Sequence, residues 1–333
     1  MINLYQYLTE GIFDIDDNID NVDESIKEQI KRFLKDNFDG ASSCKISDKP
    51  NKDGKYEVSS SKDIEVKNKN ITSLTNRLFI WVKVSGKFDC WRCDSLTSLE
   101  GSPKEVGGDF SCIECNSLTS LEGVPEKVGG RFYCSKCKSL TSLEGTPKKV
   151  DGDFYCRDCD SLTSLKGAPK KVGGNFSCHG CHSLTSLEGA PEKVGGDFSC
   201  SNCESLTSLK GAPEKVGGAF YCSNCESLTS LKDAPKEVGG FYCSNCKSLT
   251  SLEGAPEKVG GDFYCDGCTS LTSLEGAPKK VDGGFYCYYC KSLTTLKGAP
   301  KEVVGNFSCH NCRVEFTKDD VEKVSNVKGM IKV

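Results

Sequence analysis

Cysteine carries the first chemistry this 333-residue chain could do: 22 of its 23 cysteines fall in eleven C-x-x-C pairs. Successive pairs keep a C-x2-C-x18-C-x2-C spacing, with one shortened step, and that spacing lies inside the window for four-cysteine zinc sites. Cys112, Cys115, Cys134 and Cys137 make one representative ligand set. The competing reading involves no metal. The first cysteine of each pair is then a small buried core residue, and the second forms a ladder where a strand turns a corner. Eleven is an odd number for pairwise sites, and the neighbouring Ser-Leu-Thr-Ser-Leu is as uniform as the cysteines, so recent duplication accounts for both. A thiol ladder is therefore expected ahead of zinc, and zinc ahead of disulfides, with no cofactor as the leading expectation. Cys178-His179-Gly180-Cys181-His182 matches the c-type haem attachment motif, yet His182 stands where other copies carry Asp94, Asn116, Lys138 or Glu204. It is read as one more repeat.

The element that positions the cysteines is the repeat itself. Phe recurs at 88, 110, 132, 154, 176, 198, 220, 241, 263, 285 and 307, a step of 22 broken once by a deletion before Phe241. Each Phe opens the pattern F-x-C-x-x-C-x-S-L-T-S-L-x-G-x-P-x-x-V-x-G, and the last copy stops after Cys312. Phe and the first cysteine are two apart, so on a strand both face inward and the residue between them faces out. Two leucines three apart, such as Leu118 and Leu121, suit a tight, nearly 3-10 turn that returns both to the core. The Gly that follows (Gly123, Gly145, Gly167) suits a left-handed turn, and its one replacement, Asp233, is a residue that visits that conformation. Pro fixes the return stretch, Val adds a fourth inward contact, and Gly-Gly leads to the next strand.

One such coil buries too little apolar surface to offset the ordering of its backbone, so coils must stack and both ends need caps. The expected fold is a repeat solenoid of leucine-rich-repeat type, with short parallel strands, turns and 22-residue coils. Its expected divisions are an acidic leader at 1–22, an N-terminal helix and cap at 23–62, the solenoid at 63–312 and a C-terminal cap at 313–333. Ile26, Ile30, Phe33, Leu34 and Phe38 form one face of the capping helix. Ile64-Glu65-Val66 with Ile71 to Leu74 reads as a degenerate first coil, linked to Phe88 by FIWVKVSG from Phe79. Thr317 to Asp320 resembles a capping box opening a helix with Val321 and Val324 on its apolar side, and the tail GMIKV adds a last strand. Twelve coils about 4.8 Å apart make a rod roughly 55–60 Å long.

The unit resembles the BspA-like, or Treponema-type, leucine-rich repeats, in which A-F-x-x-C-x-S-L-T-S-I-x-I-P-x-x-V recurs. The shared core is the Phe, the second Cys and SLTSL-x-G-x-P-x-x-V across about residues 88–312. The extra cysteine two after Phe, the Gly-Gly and the 22-residue period depart from that pattern. The resemblance implies a solenoid and a surface or adhesion role. The opening NLYQYLTEGIFDIDDNID is also similar to short leaders on proteins of gut-bacterial tailed phages.

Charge and surface residues narrow the partner. Residues 1–40 hold ten Asp or Glu against four Lys or Arg, and the whole chain has a net charge of −4. Neither region has the basic balance that phosphate neutralisation needs, so no nucleic-acid partner is expected. The opening has no basic n-region or apolar core, and no run of about 18 apolar residues occurs, so a soluble, cytoplasmic chain with reduced thiols and no membrane partner is expected. Virion association is the alternative location. The position between Phe and the first Cys varies among Tyr133, Tyr155, Tyr221, Tyr242, Tyr264 and Tyr286, four serines and Asp89. The positions around the second Cys vary most, and include Trp91, Arg92, Arg157, His179, Tyr288, Tyr289 and His310. These tyrosines and Trp91 are the candidate protein-binding residues, because rigid aromatics supply contact area. Cross-strand shielding of the sheet by its own tyrosines is the other reading. The mixed charges after each Pro read as a solvated face. No catalytic constellation stands apart from the repeats, so no enzyme is expected. A protein partner on the sheet face, and a docking partner for the acidic N-terminus, complete the expectations.

Overall fold

The computed structural model describes residues 19–333. The first 18 residues of the acidic leader, and most of the segment that resembles phage leaders, lie outside the described residues. Coil by coil, the Phe-x-Cys segments pair into one continuous sheet of 14 strands. All of them run parallel except the first, Phe38–Asp39, which pairs antiparallel to Ile64–Val66. The register never slips: each Phe faces the next Phe, across the deletion before Phe241 as elsewhere. Alternation along the strand sends Phe and Cys inward, where the repeat phenylalanines stack in one column with successive centroids 5.0 to 6.1 Å apart.

The return stretch differs from the expectation. It forms strands of its own, two residues each in the repeats, such as Lys171–Val172 and Lys193–Val194, which pair parallel into a second face. That face is divided into sheets of five, four and five strands. Val points in and is buried while Lys or Glu points out. Phe79–Val84, expected as a linker, is a strand of this second face. The leucine pair is not a 3-10 helix; the one such turn among the described residues is Ala41–Ser43. A β-turn closes from the first leucine's N–H back to the second cysteine carbonyl (Leu140 to Cys137, 3.1 Å), the second leucine's N–H reaches the next coil (Leu143 to the Lys166 carbonyl, 3.0 Å), and both leucines are buried. A second turn closes from Ala168 N–H to the Leu165 carbonyl at 2.9 Å, with Gly167 at φ 92 in its third position. Asp233 takes that place at φ 70 and keeps the turn, as its side chain allows.

At the N-terminal end the helix Ile19–Asn37 lays Ile30 and Leu34 on the core. Phe38, expected on that helix, instead begins the first strand, because the helix ends at Asn37 and the chain pairs with Val66. Trp81 plugs the end of the phenylalanine column, edge-on to Phe38, Phe79 and Phe88, with its indole N–H donating to the Leu74 carbonyl at 3.0 Å. At the other end Thr317 and Asp320 form a reciprocal capping box on Lys318–Glu322, Val321 is buried, and Ile331–Lys332 adds the last strand of the first sheet. No helix among the described residues is long and apolar enough to cross a membrane.

Candidate functional site: the aromatic sheet face

The outward side of the first sheet carries three columns, because the residues before Phe, after Phe and after the first Cys all point away from the core. The first column is a backbone clamp. Asp109, Asp153, Asn175, Asp197, Asp262 and Asn306 each accept, through Oδ1, the N–H of the matching residue one coil on, at 2.6 to 2.8 Å. Each side chain thus pins the strand that follows.

The second column holds the tyrosines. Tyr221, Tyr242, Tyr264 and Tyr286 form one stack with centroids 4.5, 5.3 and 4.2 Å apart, and Tyr133 stacks on Tyr155 at 5.4 Å. These rings are half-buried rather than fully exposed. They lean along the strand over the first column: a Cβ on Gly284 would meet the Tyr286 ring at 2.6 Å, so the glycine makes room for the ring. Burial raises the phenols of Tyr155, Tyr221, Tyr242 and Tyr264 above their ordinary value, so these four stay neutral and hydroxylated at physiological pH. The Tyr155 hydroxyl donates to Asp153 at 2.9 Å.

The third column changes most from coil to coil. Tyr288 stacks on His310 at 4.9 Å, and Tyr289 stands edge-on to both. Tyr289 and Trp91 are exposed, and Trp91 has Lys69 and Arg92 over its ring at 5.5 and 5.2 Å. The structure places Trp91 apart from the long tyrosine stack, at the opposite end of the same face; Tyr288 and Tyr289 lie beside the last ring of that stack.

The residue just before the second cysteine is left-handed in every copy, from Asp158 at φ 54 to Gly180 at φ 72. In the sequence alone this position reads as freely variable. The signal was present in its composition: Asp158, Gly180, Asn202, Asn224, Asn245, Gly267 and Asn311 are residue types that enter that conformation at low cost. Arg92, Glu114, Lys136 and Tyr289 occupy it against their preference.

The cysteines sit beneath this face. From Cys115 on, each second cysteine donates its S–H to the carbonyl of the first cysteine one coil back, as Cys115 does to Cys90 at 3.1 Å, Cys137 to Cys112 at 3.1 Å and Cys203 to Cys178 at 3.3 Å. The accepting carbonyl lies where the strand ends, so the thiol satisfies a buried acceptor at the corner. First cysteines point their S–H along the sheet, as Cys112 does to the Tyr133 carbonyl at 3.5 Å. Burial pushes the Cys134, Cys156 and Cys287 thiols well above their ordinary range, which keeps them protonated. Cys178 and Cys181 follow the same scheme, with both sulfurs buried and aimed at carbonyls. Among the described residues, no three His, Cys, Asp or Glu side chains converge as a metal-binding group.

The opposite face is an array of solvated ion pairs between coils. Lys127 meets Glu105 at 2.8 Å and Lys258 meets Glu237 at 2.6 Å, with side chains largely exposed. Pairs of this kind add little to stability.

These features define a leucine-rich-repeat-like solenoid. No family model matches the chain, and no curated protein matches it. Among solved structures it is similar to a leucine-rich repeat protein from Bacteroides ovatus ATCC 8483, at 14% identity and a TM-score of 0.27, over 86% of this chain and 98% of that one. The strand pairing described above, and not this likeness, defines the fold.

Proposed function

We propose that the solenoid is a non-catalytic protein-binding scaffold that engages its partner through the tyrosine-bearing sheet face. The observation that carries this reading is the four-ring stack Tyr221, Tyr242, Tyr264 and Tyr286: half-buried and mutually stacked, the rings offer contact area with little motion left to lose on binding. The core beneath it repeats almost unchanged, so differences between coils are confined to outward positions, and on this face they are differences of aromatic and polar side chains. The acidic N-terminal segment is the second docking element of the proposal. Protonated thiol donors suit a reducing compartment, and the cytoplasm is the proposed location, with a tailed-phage origin as the source of the leader.

The test replaces Tyr242 and Tyr264 together with Ser. Serine occupies the same position at 111, 177, 199 and 308, so the double variant should fold with an unchanged far-UV spectrum. Capture of the natural partner should weaken at least several-fold. A folded double variant with unchanged affinity sinks the proposal. A second reading is favoured by the cysteine ladder: a BspA-like structural rod, in a virion or elsewhere, stiffened by S–H donors that tie each coil to the one before. Reduced, unfolded protein should then titrate about 23 thiols and release almost no zinc; zinc near one per two coils would replace the ladder by a metal-bound rod.

A further inference from the structure

The tyrosine column is interrupted twice on its C-terminal side by serine, and the two interruptions are finished differently. At the first, Tyr155 is followed one coil on by Ser177. Arg157, from the third column, folds into the space: its guanidinium lies 4.4 Å from the Tyr155 centroid and its Nε donates to Ser177 Oγ at 3.0 Å. A planar group of the protein itself continues the stack. At the second, Tyr286 is followed by Ser308, and Ser308 by Lys332. The third-column residue here is Tyr288, which stacks on His310 and leaves the space over Ser308 without a filler. The result is a cavity of about 400 Å³ walled by Tyr286, Tyr288, His310 and Lys332, with Ser308 as its floor and Met330 at its rim.

Its dimensions follow from the coil spacing. Two steps of about 4.8 Å separate the Tyr286 and Lys332 positions, which leaves room for one planar ring between them at ordinary stacking distance. The chemistry at the two ends differs from that at Tyr155. Lys332 lines the cavity one strand beyond Ser308 and repels a second cation, so a guanidinium like that of Arg157 is disfavoured there, whereas a neutral ring within reach of its ammonium gains a cation–π contact. A carboxylate next to that ring would meet the Lys332 ammonium. Burial, and then Lys332, hold the His310 imidazole below its ordinary value, so at neutral pH it is an uncharged partner, linked to Ser308 Oγ at 2.9 Å. Met330 is 73% exposed, the most open of the large apolar side chains among the described residues, and it has a mate once an aromatic edge lies beside it.

We infer that the slot between Tyr286 and Lys332 takes an aromatic side chain of a partner peptide that carries an Asp or Glu beside it. This rests on the protein-binding reading above and names the anchor that reading lacks. The probe is the blocked dipeptide acetyl-Trp-Glu-amide, followed by NMR through the Met330 methyl, one of only two methionine methyls in the chain, and the His310 ring. Saturable shifts at both are expected, with affinity at least ten-fold weaker in Ser308→Tyr, which fills the slot with a ring that six other copies carry at that position. Lys332→Ala should weaken acetyl-Trp-Glu-amide several-fold and acetyl-Trp-amide, which loses only the cation–π contact, by clearly less. Equal binding by Ser308→Tyr, or equal shifts with acetyl-Gly-Glu-amide, overturns the slot; adenosine monophosphate binding as tightly as the dipeptide overturns the peptide class. The two proposals fail separately. Absent dipeptide binding with partner capture still sensitive to Tyr242 and Tyr264 removes only the slot, whereas dipeptide binding with capture insensitive to both tyrosines removes the scaffold reading.

Discussion

The two faces of the solenoid are built from the same coils and yet differ in continuity. The Phe-x-Cys face is one sheet of 14 strands, whereas the Lys-Val face is broken into three. One break lies at the single-residue deletion. Gly217 N–H meets the Val194 carbonyl, but one coil later Gly239 N–H meets Gly218 instead, while Phe220, Phe241 and Phe263 stay in register. The other break falls between Lys127–Val128 and Lys149–Val150. The irregularities are absorbed on one side only. The first face is held by stacked phenylalanines, cysteine S–H donors and the Asp/Asn clamp, and the second by a buried Val and solvated ion pairs. Register is kept on the Phe-x-Cys face, the one that carries the stacked tyrosines.

The largest effect should come from breaking the phenylalanine column. Phe198→Ala opens a cavity in a fully buried stack and should cost about 3–5 kcal/mol, against about 1–2 kcal/mol for Val216→Ala on the second face. Chemical denaturation of the two variants measures the gap; equal losses would mean the faces are equally held. Next comes the thiol ladder. Cys203→Ala leaves the buried Cys178 carbonyl without its S–H donor and should cost about 1–3 kcal/mol, part of which Cys203→Ser recovers with a hydroxyl. A serine variant no more stable than the alanine one would show that sulfur volume, not donation, matters. The smallest effect should have the opposite sign. Lys136 sits at φ 59, and Lys136→Asn should raise stability by up to about 1 kcal/mol, since the exposed ion pair it loses with Glu114 contributes little.

The sequence was legible wherever one residue type recurred at a fixed place for one reason. Phe, both Cys, both Leu and Val are inward because cavities at those places are costly, and the spacing showed it. The left-handed turn at Gly167 and the capping box at Thr317 were legible for the same reason. The second face was not, because a two-residue strand such as Lys171–Val172 offers no alternation to read before Gly-Gly follows. The left-handed place before the second cysteine is a mixture of residue types and reads as free variation, and the Asp/Asn clamp, a mixture too, does not stand out in the repeat pattern at all. At the candidate site the tyrosine row and its cross-strand stacking were legible, but the breaks in that stack and the open slot were not. Those depend on which ring follows which, and on Arg157 folding over Tyr155 where Tyr288 turns to His310.

Amide hydrogen exchange with and without the captured partner tests the central claim most directly, because it reports both faces in one experiment. The account predicts added protection along the Phe-x-Cys strands from Phe220 to Ser308, and none in the Lys-Val strands that back them. Protection confined to the Lys-Val face, or to the N-terminal segment alone, would contradict it.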